Sequence, residues 1–204
     1  IDEVENPQTP TELFFVLAAL AFYKVPVNTI APKFTGNFYK GIDYEGDLDQ
    51  FSKEFEDDLC VLKFVKSEFD MPKELKLSMH SGSDKFSIYP IINKLIKKHD
   101  SGLHVKTAGT TWLEEAIGLA ESGEEAFKFI QNLYNEALDR YEELTENYTE
   151  VLNIKKEKLP QKSAFENGAA FASALRHDQK NENYNPHFRQ LMHCAYKIAG
   201  EKDE

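Results

Sequence analysis

The chain has 204 residues, of which 41% are hydrophobic and 29% charged, a composition typical of a globular protein with one or two domains. Its net charge of -11 argues against a general nucleic-acid or anionic-membrane binder, because phosphate contacts need clustered Lys and Arg. The longest apolar run, residues 13–22, is too short to span a bilayer and follows acidic residues rather than a basic segment. We therefore expect no membrane association and a cytoplasmic location.

The cysteines and the chain ends give two further expectations. Cys60 and Cys194 lie far apart in helix-like stretches, so we expect free thiols in a reducing compartment. The sequence begins at Ile1 without an initiator Met and stops at Glu204 without a clear terminal element. We expect a fragment of a longer protein.

Strands and helices alternate in the first part of the chain. Short apolar or alternating runs predict strands over residues 1–5, 25–31, 75–79 and 103–106. Apolar positions three and four apart predict the helices that follow, over residues 10–23, 48–66, 86–98 and 111–120. Thr9 and Asp47 are predicted to cap the first two helices. Because the first helix is apolar on nearly all sides, we expect it to be buried on more than one side.

The remainder of the chain is predicted to be helical. Apolar residues alternate steps of three and four from Phe127 to Val151, which predicts one long helix over residues 124–153. Its three tyrosines favour packing within the fold or over a site, and a coiled-coil dimer is the alternative. Two shorter helical stretches are predicted over residues 164–175 and 188–199.

Four consecutive β–α units imply a parallel sheet with covering helices, and hence the α/β class. The units would form half of a TIM-type (β/α)8 barrel or one doubly wound sheet. We predict a partial barrel over residues 1–123 and a helical extension over residues 124–204. In both architectures the chemistry lies at the carboxyl ends of the strands. The loops after the predicted strands are rich in functional side chains, whereas the opposite loops are plain turns, and this asymmetry favours an enzyme.

Two histidines, His80 and His104, are interpreted as strand-end residues that are each followed by a small-residue loop. The carboxylates of Asp2, Glu3 and Glu5 are expected at the first strand. Imidazole together with carboxylate suits Zn²⁺, Mn²⁺, Fe²⁺ or Ni²⁺. We therefore predict a divalent metal at His80, His104 and Glu3, the alternative being two hydrogen-bonded structural histidines.

The loops after the predicted strands also carry candidate substrate-binding residues. Residues 81–85 and 106–110 combine small side chains with lysines, a pattern that suits a carboxylate or a hydroxyl-rich ligand, although the same residues also make turns and caps. The aromatic-rich loop over residues 33–46 is interpreted as a substrate clamp or lid. The predicted substrate-binding residues are Lys33, Lys40, Asp43, Ser81, Ser83, Lys85, Thr107 and Thr110.

The sequence resembles the tagaturonate epimerase family in several stretches. These are residues 2–5 with Thr9-Pro10, 31–34, 40–47, 77–90, 104–115, 185–191 and 193–199. The runs His80–Tyr89 and His104–Thr110 are long enough to be specific. The resemblance implies a metal-dependent, TIM-barrel-like enzyme of hexuronate breakdown that acts on a sugar acid. It also implies that this chain is the C-terminal part of such an enzyme, without its N-terminal half and a short C-terminal tail. We expect the chain to self-associate or to pair with the missing half of the barrel, the alternative being that it is inactive alone.

The resemblance suggests a specific chemistry. Fructuronate and tagaturonate differ at the carbon β to the ketone, whose proton the carbonyl does not acidify, so simple enolisation cannot invert it. A retro-aldol cleavage and re-addition can. We expect Glu3, Glu5 or Asp84 to serve as general base. Lys106, Lys40 or Lys85 is expected to hold the carboxylate, and Lys106 is counted with the catalytic residues. The alternatives are another metal-dependent sugar-acid aldolase or isomerase, or a non-catalytic helical interaction domain.

Overall fold

The computed structural model describes residues 6–107 and 109–201 and has an α/β fold. Its strands are β1 (Thr29–Ile30), β2 (Lys76–His80) and β3 (Leu103–Lys106). Its helices are α1 (Pro10–Phe22), α2 (Leu48–Glu68), α3 (Tyr89–Lys98), α4 (Thr110–Glu121), α5 (Glu124–Asp139), α6 (Tyr141–Thr145), α7 (Gly168–Leu175), α8 (Pro186–Cys194) and α9 (Tyr196–Glu201). The strands form a parallel sheet in the order β1-β2-β3, which confirms the α/β class.

The described residues form two compact units. The sheet unit comprises residues 6–37, 44–81 and 85–106, and the helical unit comprises residues 38–43, 82–84, 107 and 109–201. The predicted division of the chain after Gly123 stays a prediction. Within the described ranges, no helix combines the length and the apolar character needed to cross a membrane.

Both predicted helix caps of the sheet unit are confirmed. Thr9 and Glu12 form a reciprocal capping box at the start of α1, with the amide of Glu12 donating to Thr9 Oγ1 at 3.2 Å. The Asp47 carboxylate accepts from the amides of Asp49 and Gln50 at the start of α2. Each cap satisfies amides that the first turn of a helix leaves without a partner.

The prediction that α1 is buried on more than one side is wrong. Only Leu13 and Leu17 are buried in this helix, whereas Phe15 is 65% and Phe22 78% exposed. α1 packs on α2, and Phe14 of α1 lies against Phe64 and Phe69. An apolar sequence indicates which surface would be stable when covered, but among the described residues the opposite side of α1 stays exposed.

The strands differ from the predictions in extent. β3 has the predicted bounds, whereas β1 comprises only Thr29 and Ile30 of the predicted residues 25–31. Pro26 has no amide hydrogen to donate to a neighbouring strand, which accounts for part of the shortening. The predicted strand over residues 1–5 lies outside the described residues, so four β–α units and a half-barrel stay predictions.

The helical unit has its own core, built from α4, α5, α7, α8 and α9. Ile130, Tyr134 and Ala137 of the predicted α5 seam are fully buried in it, which confirms packing within the fold. The predicted single helix over residues 124–153 is wrong, because α5 ends at Asp139 and shorter helical pieces follow. Arg140 lies at this break and binds the carboxylates of Glu143 and Glu201. The sequence has no Gly or Pro at this break, so helix-breaking residues do not indicate it.

The cysteines agree with the sequence. Cys60 is exposed, Cys194 is buried, and both are free thiols. Burial raises the pKa of the Cys194 thiol to about 11, an effect that exceeds the opposing influence of Lys40. The Cys194 thiol is therefore a packing group rather than a nucleophile at neutral pH.

Candidate functional site

One face of the sheet carries polar side chains on two neighbouring strands. The parallel register pairs Ser78 with His104 and His80 with Lys106. Because side chains alternate along a strand, these four residues share one face. The opposite face of β2 carries Leu77 and Met79, which are buried in the sheet unit. The alternation of the sequence thus brings both predicted metal-binding histidines to the same side of the sheet.

The two histidines hold different positions along their strands. His80 is the last residue of β2, as predicted, but His104 is the second residue of β3 and the expectation that it ends its strand is wrong. Lys106 occupies the end of β3 instead, directly opposite His80. His104 is exposed and its Nδ1 lies 2.7 Å from the hydroxyl oxygen of buried Ser78.

The polar face of the sheet fits part of a metal site. The Ser78 hydroxyl can accept a hydrogen from Nδ1 of His104, which leaves Nε2 with its lone pair, and histidine ligands of metals commonly bond through the second nitrogen in this way. Glu3 and Glu5 lie outside the described residues. Within 6–107 and 109–201, His, Cys, Asp and Glu side chains form no group of three that could hold a metal. The described residues therefore offer two ligands of the predicted site.

Three further candidate residues lie in the sheet unit. Ser81 donates from its amide and its hydroxyl to the carbonyl of Lys106, at 3.1 and 3.2 Å. These bonds extend the connection between β2 and β3 beyond His80. Lys85 is fully buried and Lys33 partly buried. Lys85 lies in the interior of the sheet unit, where a buried ammonium needs hydrogen-bonding partners. Its role in substrate binding stays a prediction.

Lys40 borders a cavity of the helical unit. Its ammonium lies 4.6 Å from the centroid of the Tyr148 ring, and its amide donates to the carbonyl of Val151 at 2.9 Å. The cavity has a volume of about 330 Å³ and is also bordered by His193 and Lys197. That volume falls at the lower end of the range for small-molecule pockets. The cavity is also bordered by Glu143, whose carboxylate pairs with Lys197 at 2.8 Å, so Lys40 and the polar side chains around it suit a hydroxyl-bearing ligand with one anionic group.

The segments over residues 38–43 and 82–84 meet in the helical unit. The Ser83 hydroxyl donates to the carbonyl of Ile42 at 3.4 Å, next to Asp43 in sequence. Asp84 follows Ser83 and is partly buried. The predicted substrate-binding residues Lys40, Asp43 and Ser83 thus lie on two segments that contact each other.

The start of α4 contributes Thr107 and Thr110. The amide of Thr110 lies 3.4 Å from the carbonyl of Thr107. In the described part of the chain, Thr110 Oγ1 is buried without a hydrogen-bond partner. Leaving such a hydroxyl unsatisfied costs roughly 1–3 kcal/mol. A water molecule or a substrate hydroxyl would satisfy it, which supports Thr110 as a binding residue.

The sequence analysis missed Arg189, and for His193 it favours a satisfied core or interface histidine, with a distant metal ligand as the alternative. Both lie on α8, four residues apart. Nε of Arg189 donates to the carbonyl of Gly41, and Nε2 of His193 lies 3.1 Å from the carbonyl of Gly82. The signal in the sequence is the spacing of two polar residues four apart on one helix, and it does not indicate their partners.

The fold and the polar sheet face define an α/β protein with two histidines on the same face of a parallel sheet. A model of the tagaturonate epimerase family, UxaE, matches residues 1–203. The tagaturonate/fructuronate epimerase of Thermotoga maritima is 37% identical over 170 residues, which is 78% of this chain and 32% of that protein. The chain belongs to the tagaturonate epimerase family.

Solved structures support the same assignment. The native structure of the fructuronate-tagaturonate epimerase UxaE from Cohnella laeviribosi matches 97% of this chain and 36% of its own, with a TM-score of 0.77 and 28% identity. A glycerol complex of that enzyme matches 96% of this chain and 35% of its own, with a TM-score of 0.76 and 28% identity. This chain therefore spans about a third of the length of the relatives it matches.

Proposed function

We propose that the protein interconverts D-tagaturonate and D-fructuronate. The observation that carries the proposal is the match of residues 1–203 to the tagaturonate epimerase family. The 37% identity to the Thermotoga maritima enzyme adds support, because it extends over 78% of this chain. The cavity bordered by Lys40 in the helical unit has a volume of about 330 Å³, which is large enough for a six-carbon acid.

The proposal includes a divalent metal ion, Zn, Mn, Fe or Ni, held by His80 and His104 with Glu3 as a third ligand. Support comes from the shared sheet face of the histidines and from the Ser78 hydroxyl at His104 Nδ1. The Ser78 hydroxyl would fix the ring orientation and the tautomer of His104. A bound ion would supply Lewis-acid polarisation of the ketone oxygen.

The reaction we propose inverts the β carbon by cleavage and re-addition. A base removes the proton of the β-hydroxyl, the bond between the α and β carbons breaks, and its electron pair passes to the ketone fragment as an enediolate. The β carbon becomes an aldehyde, which rotates and presents its other face. The bond then forms again and the proton returns to the new hydroxyl, so no oxidant or second substrate is needed.

The protein residues have separate roles in this proposal. Asp84, Glu3 or Glu5 acts as the base, since a carboxylate can accept and return one proton. Lys106, the last residue of β3, and Lys40 are the lysines proposed to bind anionic oxygens. Thr110 offers its buried hydroxyl to a substrate hydroxyl. Lys33, Asp43, Ser81, Ser83, Lys85 and Thr107 remain predicted substrate-binding residues.

The first test is an assay of the protein in its full encoded length. We expect NMR to show fructuronate forming from tagaturonate, and activity to be lost on chelation and restored by one of the four metals. In D₂O the β carbon should keep its own hydrogen, because cleavage breaks a carbon–carbon bond and not that C–H bond. Deuterium at the β carbon, or full activity after complete metal removal, would contradict the mechanism.

A matched pair of histidine variants tests the proposed ligand. His104→Ala should lower both metal content and kcat by at least about 100-fold. His99→Gln is the control, since His99 lies just before β3 and pairs with Glu56. His99→Gln should keep its metal content and its kcat within about twofold of those of the unmodified protein. Equal metal content in His104→Ala and the unmodified protein would remove His104 from the site.

A further inference from the structure

We infer that one side of α8, formed by Arg189 and His193, is the positioning element for the two segments over residues 38–43 and 82–84. The inference rests on the proposed function only in that these segments carry Lys40, Asp43 and Ser83 as predicted substrate-binding residues. Residues four apart lie on the same side of a helix. One helix thereby reaches two segments that are far apart in sequence.

Arg189 fixes the segment over residues 38–43. Its side chain is 1% exposed, its Nε donates to the carbonyl of Gly41, and its NH1 donates to the carbonyl of Leu175 at the end of α7. Burial lowers the pKa of the guanidinium, against the opposing influence of Tyr184, Glu114 and Asp84. Burying a charge is costly, and these carbonyls partly offset the cost. A buried Met of similar length would fill the space without either hydrogen bond.

The backbone of α8 adds a steric constraint on the same segment. Gly41 has φ of +78°, and a methyl group added to it would lie 3.1 Å from the carbonyl oxygen of Arg189. Only a residue without a side chain combines this backbone conformation with so close an approach. Gly41 therefore lies against α8 and is held there by the guanidinium of Arg189.

His193 fixes the segment over residues 82–84. A carbonyl oxygen only accepts, so Nε2 of His193 carries the hydrogen donated to Gly82. The same ring lies against Gly109, where an added methyl group would come within 2.0 Å of Nε2. Gly109 has φ of +88° and directly precedes α4. His193 therefore contacts residue 82 and residue 109 at once, and both neighbour predicted substrate-binding residues.

Hydrogen bonds between the segments complete the arrangement. The Ser83 hydroxyl donates to the carbonyl of Ile42, and the amide of Lys40 donates to the carbonyl of Val151. Gln190, next to Arg189, accepts from the amide of Asn153 and donates to its carbonyl. Displacing α8 would therefore move Lys40 through Gly41, and Ser83 through Gly82. This coupling distinguishes a positioning role from simple packing.

The decisive comparison is His193→Gln against His193→Asn. The side-chain amide nitrogen of Gln reaches the place of Nε2, whereas that of Asn reaches only the place of Nδ1. Both variants are polar and uncharged, so they differ mainly in the donor to Gly82. We expect hydrogen exchange of residues 82–84 and 109–113 to rise about five- to tenfold in His193→Asn, the effect of losing one ordinary hydrogen bond. Exchange in His193→Gln should stay within about twofold of the unmodified protein.

Kinetics supply the second readout. We expect kcat/KM to fall roughly 10- to 100-fold in His193→Asn and in Arg189→Lys, because small displacements of binding groups are costly. KM should change more than kcat, since the segments carry predicted binding residues. Arg189→Lys keeps the charge but loses the fork that reaches two carbonyls. His187→Gln is the control on the same helix, because His187 contacts Asn153 and Lys155 and neither segment.

The outcomes separate the inference from the proposed function. Equal exchange in the Gln and Asn variants, whether both are loosened or both unchanged, would overturn the positioning role of His193. If hydrogen exchange at residues 38–43 increased as much in His187→Gln as in Arg189→Lys, the positioning role of Arg189 would be overturned. An unmodified protein without epimerase activity would refute the proposed function alone, because hydrogen exchange does not depend on turnover.

Discussion

At the scale of single residues, buried polar side chains are the most informative feature of the chain. Arg189 and Gln190 are buried and hydrogen-bonded to backbone groups of distant segments. Asp58 of α2 is also buried, with 3% of its surface exposed. Burial raises the pKa of its carboxyl from the ordinary value of 3.8 to about 7, and Glu54 and Asp57 add to the effect. Stability of the sheet unit should therefore depend on pH.

Because of Asp58, the stability of the sheet unit should fall as the pH rises. A raised carboxyl pKa means that the folded state holds a proton which the unfolded state releases. The contribution of protonated Asp58 to the free energy of unfolding is thus complete below about pH 4 and is lost as the pH rises through about 7. Between these values each pH unit should lower the free energy of unfolding by up to about 1.4 kcal/mol. Chemical denaturation from pH 4 to 8 measures this slope.

Asp58→Asn should remove that slope, because the amide does not titrate, and the variant should be more stable than the unmodified protein at pH 8. Asp49→Asn is the control, since Asp49 is exposed in the first turn of the same helix. It should retain the slope. A slope that persists in Asp58→Asn would assign the pH dependence to another group.

At the scale of elements, close backbone contact explains why a glycine begins α7. A methyl group added to Gly168 would lie 1.7 Å from the carbonyl oxygen of Ala120 in α4. Neither backbone can move without displacing its helix. The approach of α7 to α4 therefore depends on the absence of a side chain at this position.

Gly168→Ala should lower the free energy of unfolding by at least about 1–3 kcal/mol, the usual cost of overpacking. Gly118→Ala in α4 is the matched control, because a methyl group there meets no atom within 4 Å. It should stabilise the protein by roughly 0.5–1 kcal/mol, since alanine loses less backbone entropy in a helix than glycine. Equilibrium unfolding of both variants tests the pair, and equal effects would contradict the packing argument.

The same scale shows what the sequence can and cannot predict. The starts of α1 and α2 and the bounds of β3 depend on residues within a few positions of one another, and these predictions are confirmed. Arg140, at the break after α5, binds Glu201, which is 61 residues away. The bond between His193 and Gly82 joins residues 111 apart. Local patterns carry no information on such pairs, so these features were not predicted.

At the scale of the whole molecule, the sequence predicts which residues belong to the candidate site but not how they are arranged in space. His80 and Lys106 were placed on strands from alternation alone, and their pairing follows from the register. The proposed functional residues of the helical unit depend on α8, whose contacts the sequence does not reveal. The resemblance to the tagaturonate epimerase family identifies the family, but it does not indicate that α8 contacts the segments that carry these residues.

The exposed apolar side of α1 leads to a prediction for the 204-residue chain in solution. Phe15 and Phe22 are seven residues apart, so they lie on one side of the helix, next to the 74% exposed Tyr23. Contiguous exposed apolar surface favours association. The sedimentation coefficient should rise with protein concentration, and the double variant Phe15→Ser/Phe22→Ser should weaken that dependence.

Phe129→Ser provides the control, because Phe129 is 47% exposed on α5. This variant should associate as the unmodified chain does. A sedimentation coefficient independent of concentration in the unmodified chain would contradict the prediction.

The bond between Arg189 and Gly41 has a consequence for synthesis on the ribosome. The two residues are 148 positions apart, although both belong to the helical unit. At elongation rates of about 5–20 residues per second, Gly41 waits roughly 7–30 s before Arg189 is made. During that interval the nascent chain holds residues 38–43 without the helix that secures them. Completion of the helical unit must therefore wait until residue 189 has emerged.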